Sequence, residues 1–326
     1  MSKILVIGSL GQIGTALTFA LRRQYGDSRV VAADVRVPNL VLQDRFLFEQ
    51  LDVTNAVAVR DLVKKHDITE VYLLAALLSA NGERNPQGAW SLNMQSLMHC
   101  LELAREGLIK KLFWPSSIAV FGPDAPRVSC PQDAPQNPAT MYGITKSAGE
   151  QLCRYYHDVF GVDVRSLRYP GLISHEGKAG GGTTDYAVDI YHAAIQGKMY
   201  QCYLGKHTPL PMMYMPDAVR ATLELMLAKP ERISIRTSYN LSAMTFTPHQ
   251  LTESIRRIRP DFSAIYVPDH RQAIADSWPH SPEDTTARSD WGWWPQFNLG
   301  AMTRDMLSKL TTEYLFSPQP AAVHGN

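Results

Sequence analysis

A tyrosine and a lysine four residues apart, Tyr142 and Lys146 in the string PATMYGITKSAGE, have the spacing in this chain that most directly suggests chemistry. On a helix, residues four apart lie on the same face, so both side chains would project toward one site. A phenol has a pKa of about 10, and a neighbouring ammonium lowers that pKa because it stabilises the phenolate. The pair is a candidate acid/base unit, although ordinary amphipathic helices also show this spacing.

A candidate hydroxyl lies upstream in the string FWPSSIAVFG, where Ser116 and Ser117 follow an apolar run that predicts a strand. A serine at the carboxyl end of such a strand can hydrogen-bond a substrate oxygen while that oxygen loses its proton. Ligands of open α/β sheets bind at the carboxyl ends of the strands. The serines and the tyrosine–lysine pair therefore indicate one shared site.

A glycine-rich turn near the start, GSLGQIG, places Gly8, Gly11 and Gly14 between the first predicted strand and a helix. A dinucleotide pyrophosphate binds the exposed backbone N–H groups and the positive end of the helix dipole at such a turn. The spacing is GxxGxxG, which is a weak signal until strand, turn and helix fall in that order, as they do here. We expect Gln12 and Ile13, within the turn, to contact the cofactor as well.

Acidic residues end the next two predicted strands. Asp34 can accept hydrogen bonds from the adenosine ribose hydroxyls and would repel a 2'-phosphate, so its position favours NAD over NADP. Arg36, two residues later, could instead offer charge to a 2'-phosphate. Asp52, followed by Val53, ends the third strand at the same sheet edge and could reach the adenine amino group; it could equally cap the following helix.

The elements that must position these residues alternate along the first half of the chain. Continuous apolar strands between amphipathic helices are typical of a parallel sheet covered on both faces, so we predict an α/β fold with a Rossmann doubly wound sheet. The predicted strands are 3–7, 29–33, 46–51, 70–74, 111–114 and 162–167, and the predicted crossover helices are 12–24, 55–66, 86–106 and 139–160.

After about residue 170 the pattern loosens into shorter elements, with helices predicted at 184–196, 216–228, 247–258 and 299–310. We therefore predict an NAD-binding domain with the Ser/Tyr/Lys residues over 1–170, a smaller substrate-binding lobe with interleaved elements over 171–312, and a disordered tail over 313–326. Residues 122–138 contain five prolines and predict a loop too long for a simple connection.

Composition excludes several classes of protein. The formal net charge of +1, with no basic run longer than a pair, predicts no binding to nucleic acid or to a membrane surface. Four cysteines without CxxC spacing and ten histidines without HExxH predict neither a disulfide framework nor a metal site. The chain enters a strand almost at once and has no apolar run of about 18 residues, so we expect a soluble, unprocessed, cytoplasmic protein.

Together, the strand-GxxGxxG-helix, the serine after the fifth strand and the YxxxK pair resemble the extended short-chain dehydrogenase/reductase superfamily (the NAD-dependent epimerase/dehydratase family), over about residues 3–312. The resemblance implies that Ser117 is the catalytic hydroxyl and Tyr142 the acid/base. It implies that Lys146 binds the nicotinamide ribose and tunes Tyr142, and that Asn93 supports the cofactor site. The tyrosine that the family places before Gly122 is Phe121 here, a departure from the sugar-nucleotide branch.

Two longer strings, LRYPGLISHEGKAGGGTTDYAV and LPMMYMPDAVRAT, look like the short-chain type of L-threonine 3-dehydrogenase. That resemblance implies NAD-dependent oxidation of L-threonine at C3 to 2-amino-3-oxobutyrate, with Tyr142 as base. It also implies that the backbone of Leu172 holds the cofactor carboxamide. A nucleotide-sugar epimerase or dehydratase and a non-catalytic NAD-binding regulatory protein are the alternatives.

Recognition of a zwitterionic amino acid requires hydrogen bonds to a carboxylate and an ammonium. The candidates are Ser79, Ser117, Tyr142, Thr183, Thr184 and Trp278; the tryptophan could equally be a core residue, and Asp185 could cap the helix that follows it. The glycines 180–182 are expected to form a hinge over the nicotinamide end, so that Gly181→Val would impair turnover more than NAD binding. The family also implies a homodimer through helices 86–106 and 139–160, whose apolar faces could equally pack on the sheet.

Overall fold

The protein is represented by a computed structural model that describes residues 2–38, 47–176 and 182–316, with only the backbone described at 79–81 and 316. Most predicted elements of the first half lie within two residues of their expected bounds. The strands are β1 (Ile4–Ile7), β2 (Val30–Asp34), β3 (Leu47–Gln50), β4 (Glu70–Leu73), β5 (Lys111–Phe113), β6 (Ser116–Ser117), β7 (Val164–Arg165), β8 (Leu167–Tyr169), β9 (Gly171–Ile173), β10 (Tyr200–Cys202), β11 (Leu210–Tyr214), β12 (Tyr239–Asn240), β13 (Met244–Phe246) and β14 (Ala264–Tyr266).

The helices cover the sheet and build the second lobe. They are α1 (Gln12–Tyr25), α2 (Ala56–Lys65), α3 (Ser79–Arg84), α4 (Pro86–Arg105), α5 (Met141–Phe160), α6 (Tyr186–Ile195), α7 (Met215–Leu227), α8 (Pro248–Arg256), α9 (Arg271–Asp276), α10 (Thr285–Trp291) and α11 (Leu299–Phe316). The last helix is anchored in the second lobe by the buried Met306, Leu307 and Leu310, and it continues to Phe316, past residue 312, where the sequence predicts a tail. Residues 317–326 lie outside the described part of the chain.

The main sheet has six strands in the order β3-β2-β1-β4-β5-β7, and every neighbouring pair is parallel. This is the doubly wound α/β sheet that the alternation of strands and helices predicts. The apolar side chains of α2, α4 and α5 pack on one face, and those of α1 and α7 pack on the other. The carboxyl ends of the central strands therefore open at one edge between the two helix layers.

The run predicted as a single strand over 162–167 forms two strands. β7 completes the main sheet, while β8 pairs with β6 and β12 in a separate three-stranded sheet. Arg165 and Arg168, both buried, lie on either side of this change of partner, and Arg165 donates hydrogen bonds to the carbonyls of Leu225 and Ala228 at the end of α7. Helix α7 thus connects the second lobe to the main sheet.

Candidate active site

The turn after β1 requires glycine at two positions. Gly8 has a φ of +85°, in the left-handed region, and a Cβ there would lie 2.7 Å from the backbone nitrogen of Ala75. A Cβ at Gly14 would lie 2.0 Å from the carbonyl oxygen of Gly8. Helix α1 therefore starts close against β1, and its first turn faces the edge formed by the strand ends.

The start of α1 has the donor set that a dinucleotide requires. Gly11 is its N-cap, and in the described chain no side chain caps this helix and no acidic residue lies in its first turn. The buried Ser9 Oγ and Gln12 Nε2 also have no hydrogen-bond partner among the described residues. Free N–H groups, a helix dipole and unpaired polar atoms suit an anionic pyrophosphate, so these residues fit NAD.

Asp34 lies buried at the end of β2, beside this turn. Its Oδ2 accepts a hydrogen bond from the backbone N–H of Leu10 at 3.0 Å, and its Oδ1 accepts from the backbone and Nε of Arg36 at 3.0 and 3.1 Å. The carboxylate is thus held at the strand end where the sequence predicts it. The Arg36 side chain is 63% exposed and ion-paired to the same carboxylate.

Asp52 and Val53 follow β3 at the same edge. Asp52 is exposed, and its Oδ1 accepts hydrogen bonds from the backbone and hydroxyl of Thr54 at 2.9 and 2.7 Å. Helix α2 is capped by Asn55, so the interpretation of Asp52 as a helix cap is wrong. Val53 is buried, and its carbonyl oxygen lies 3.0 Å from Nδ1 of His99.

The two serines after β5 point to different partners. The buried Ser116 hydroxyl donates its hydrogen bond to Oε1 of Glu150 at 2.6 Å, so its hydrogen is already engaged by another side chain of the protein. Ser117 lines the open cleft beside Tyr142, and its Oγ accepts a hydrogen bond from the backbone N–H of Ala119 at 3.2 Å. Burial raises the pKa of Tyr142 to about 12, and the neighbouring Ser117 hydroxyl opposes that rise. Tyr142 is thus a neutral phenol in the unliganded protein at neutral pH.

Lys146 lies one helical turn after Tyr142 and is 2% exposed. Its Nζ donates a hydrogen bond to the carbonyl oxygen of Pro115 at 2.6 Å and lies 4.3 Å from the ring centroid of Trp114 and 5.5 Å from that of Tyr142. Burial lowers the pKa of Lys146 to about 7, although the charge of Glu150 on the next turn acts in the opposite direction.

Asn93 supports the site from α4 rather than lining it. Its Oδ1 accepts from the backbone N–H of Leu77 at 2.9 Å, and its Nδ2 donates to the carbonyl of Leu77 at 3.2 Å and to Oγ1 of Thr145 at 3.1 Å. Because the protein uses both ends of this amide, Asn93 is a positioning residue that joins the segment after β4 to helix α5. The family resemblance suggests a place among the cofactor-binding residues instead.

These elements line an open cleft with a volume of about 150 Å³. Its lining combines the catalytic candidates with one end of the predicted cofactor site and with residues from the second lobe. The lining residues that bear on its chemistry are Gln12, Ile13, Ser117, Tyr142, Lys146, Leu172, Thr183, Thr184, Asp185 and Trp278.

The second lobe supplies the wall that faces Tyr142. Thr183 and Trp278 are buried at this wall, and Thr184 packs its methyl group beside Gly171. Trp278 thus lines the cleft even though it also packs in the core of the second lobe. Ser79 begins helix α3, but its side chain lies outside the described atoms, as do Gly180 and Gly181 of the expected hinge.

Asp185 is a cleft residue that the sequence suggests only as a helix cap. Its side chain makes no capping bond to α6; its Oδ2 accepts from the backbone N–H of Gly182 at 2.7 Å. Lys146 and Asp185 are the two charged residues among the described lining residues. The string Thr183-Thr184-Asp185 is the sequence signal that could have identified Asp185 as a candidate ligand-binding residue, because a carboxylate beside two hydroxyls suits an ammonium ligand.

A buried ion pair under the site was not predicted either. Glu150 and Arg168 are 0% and 2% exposed, and two hydrogen bonds of 2.9 and 2.7 Å join them. Gln136, from the proline-rich loop, donates to Oε2 of Glu150 at 2.6 Å. The pair fixes α5 against β8 directly beneath Ser116. Glu150 falls four residues after Lys146, but nothing in the sequence identifies an arginine in β8 as its partner.

The chain is similar to known proteins in sequence and in structure. Residues 4–242 match the model of the NAD dependent epimerase/dehydratase family. An uncharacterized epimerase/dehydratase of Staphylococcus saprophyticus is 47% identical over 313 residues, which cover 95% of this chain and 97% of that protein.

Two solved structures carry the similarity further. A GalE-like L-threonine dehydrogenase from Cupriavidus necator, in its holo form, is 52% identical with a TM-score of 0.92, over 94% of this chain and 99% of that chain. A monomeric L-threonine 3-dehydrogenase from a metagenome is 45% identical with a TM-score of 0.92, over 95% and 99%. The predicted family, fold and NAD cofactor are thereby confirmed.

Proposed function

The chain belongs to the NAD dependent epimerase/dehydratase family, and on that premise we propose that it oxidises L-threonine at C3 to 2-amino-3-oxobutyrate. The observation that carries the proposal is the cleft, which brings Ser117, Tyr142 and Lys146 opposite Thr183, Thr184 and Asp185. NAD supplies a hydride acceptor when bound. The protein must hold the amino acid and remove the hydroxyl proton.

Tyr142 can take up that proton with the help of Lys146. With pKa values of about 12 and about 7, Tyr142 keeps its proton and Lys146 is largely neutral at pH 8 in the unliganded protein. A phenolate at Tyr142 Oη, which an ammonium at Lys146 stabilises, accepts the substrate hydroxyl proton. Ser117 Oγ hydrogen-bonds the same substrate oxygen and keeps it beside Tyr142.

The charges of the cleft suit an amino acid. The Asp185 carboxylate can bind the substrate ammonium, while the hydroxyls of Thr183 and Thr184 can donate to the carboxylate. The residues described in the lining hold one cation, Lys146, and that cation already donates to a backbone carbonyl. A nucleotide-sugar diphosphate would call for more positive charge than this.

The test is formation of NADH, followed by its near-ultraviolet absorbance, with L-threonine, L-allo-threonine, L-serine and UDP-sugars. We expect turnover with L-threonine and a loss on the order of 10²- to 10⁴-fold in Tyr142→Phe, because general base catalysis typically contributes that much. Tyr155→Phe, on the exposed face of the same helix, is the matched control and should be as active as the unaltered protein.

Three results would contradict the proposal. Normal turnover in Tyr142→Phe would remove the acid/base assignment. Epimerisation of a UDP-sugar without net NADH formation would favour a nucleotide-sugar enzyme. NADH binding with no turnover on any of these substrates would favour a regulatory NAD-binding protein.

We further propose a homodimer formed through α4 and α5. Trp90 on α4 and Ile144, Tyr155 and Val159 on α5 are exposed apolar side chains on these two helices. Sedimentation velocity will distinguish this dimer from a monomer, the state of the metagenome enzyme.

All four cysteines are unpaired and buried, which suits the cytoplasmic location that we also propose. None of the helices in the described residues combines the length and apolar character needed to cross a bilayer.

A further inference from the structure

The cleft wall formed by Gly182 to Asp185 is fixed by a residue outside the cleft. Tyr203 follows β10, is 8% exposed and does not line the cleft. Its hydroxyl accepts a hydrogen bond from the backbone N–H of Tyr186 at 2.7 Å and donates to the carbonyl of Gly182 at 3.5 Å. These two bonds reach both ends of the turn that carries Thr183, Thr184 and Asp185.

The ring of Tyr203 contacts a second element of the site. The guanidinium carbon of Arg271, the first residue of α9, lies 3.1 Å from the ring centroid. Three hydrogen bonds from the Arg271 side chain to Asp269, at 3.0, 3.1 and 2.6 Å, fix that guanidinium. The backbone N–H of Asp269 in turn donates to the carbonyl of Tyr203 at 3.2 Å.

Helix α9 leads to Trp278, which lies on the same wall of the cleft as Thr183. It ends at Asp276, and the backbone N–H of Trp278 donates to the carbonyl of Ala275 at 3.2 Å. A continuous set of contacts therefore runs from Trp278 through α9 and Arg271 to Tyr203, and from the Tyr203 hydroxyl to the turn of Gly182.

We propose that Tyr203 is a positioning residue for the substrate: its hydroxyl and ring set the distance between the Gly182–Asp185 turn and Trp278. The inference rests on the proposed function, because the substrate lies against the wall that these residues form. The residue acts through Thr183, Thr184 and Asp185, which face the substrate, and it contacts neither the cofactor turn nor Tyr142. Its loss should therefore weaken substrate binding and spare cofactor binding.

Tyr203→Phe removes one oxygen and retains the ring. We expect KM for L-threonine to rise about fivefold to tenfold, as the loss of one buried hydrogen bond allows, with kcat and the Kd for NADH changed less than about twofold. The amide of Tyr186 should exchange its hydrogen faster, which mass spectrometry of a peptide covering that residue can measure.

Tyr186→Phe is the matched control. Its ring packs edge-on against Tyr203 with centroids 6.3 Å apart, and its buried hydroxyl has no partner among the described residues. Removing that oxygen should leave KM and amide exchange unchanged. Arg271→Gln, which uncovers the Tyr203 ring, should raise KM in the same direction as Tyr203→Phe; an unchanged KM there would overturn the link to α9.

The results separate failure of this inference from failure of the proposed function. If the unaltered protein oxidises L-threonine and Tyr203→Phe has an unchanged KM, the role of Tyr203 is overturned whatever the exchange rate. A parallel loss of NADH binding would also overturn it, since that result indicates general disruption. If the unaltered protein binds NADH but does not oxidise L-threonine, the proposed function fails and the positioning role fails with it.

Discussion

Replacing Lys146 by methionine should make the folded protein more stable near neutral pH while abolishing activity. The pKa of Lys146 lies at about 7, compared with the ordinary 10.5. At about 1.36 kcal/mol per pH unit, this difference means that folding disfavours the ammonium by about 5 kcal/mol. Methionine removes that penalty but leaves the Pro115 carbonyl without its donor, at a cost of about 1 to 3 kcal/mol. We expect a net gain of about 2 to 4 kcal/mol at about pH 6.5.

The sign of the pH dependence follows from proton counting. Between pH 7 and 10.5 the unfolded chain keeps the Lys146 proton and the folded chain does not, so the stability of the unaltered protein rises with pH. The advantage of Lys146→Met should therefore shrink by about 1.4 kcal/mol per pH unit above pH 7. Urea unfolding at several pH values from about 6.5 to about 9.5 and constant ionic strength measures this slope, with the exposed Lys110→Met as control. A difference that stays constant over this range would refute the reasoning.

Two further variants test the cofactor turn and the buried ion pair. Asp34→Ser should weaken NADH binding about 10- to 100-fold, which corresponds to the free energy of charge-assisted hydrogen bonds. It should strengthen NADPH binding, because Arg36 loses its carboxylate partner. Fluorescence titration measures both affinities, and an unchanged preference for NADH would speak against this role of Asp34. Glu150→Gln should lower the free energy of unfolding by about 3 to 5 kcal/mol, because it leaves Arg168 buried without a counter-charge. Urea unfolding checks this value, a loss below about 1 kcal/mol would contradict it, and adding Arg168→Met should recover part of the loss.

The parts of the fold that sequence could predict are those fixed by local signals. The sequence predicts a helix from residue 139, and α5 begins at Met141 because the Thr140 side chain accepts a hydrogen bond from the Gly143 N–H and caps it. The GxxGxxG turn and the YxxxK pair can be predicted from the sequence in the same way, since each depends on residues within a few positions of one another. The same holds for Asp34, which ends a strand at a fixed distance from the glycines.

What could not be predicted depends on partners distant in sequence. The run over 162–167 is predicted as one strand. However, Arg165 binds carbonyls at the end of α7 and Arg168 binds the carboxylate of Glu150, so the chain changes sheets between them. Burial of an arginine is unfavourable unless its charge and N–H groups have partners. The partners of Arg165 and Arg168 lie 60 and 18 residues away, so the sequence gives no local sign of them. The role of Tyr203 is hidden from the sequence for the same reason.

The proline-rich loop over 122–138 illustrates how such partners serve the site. The sequence indicates only an unusually long connection, yet Gln136 binds Glu150 and the Arg127 side chain donates to the carbonyl of Trp278 at 2.9 Å. One loop thus contacts both the helix that carries Tyr142 and the wall opposite it. Its contact with Glu150 reaches the helical turn that follows Lys146. Because burial lowers the pKa of Lys146, a shorter loop that admitted water to this region would return that pKa toward its ordinary value.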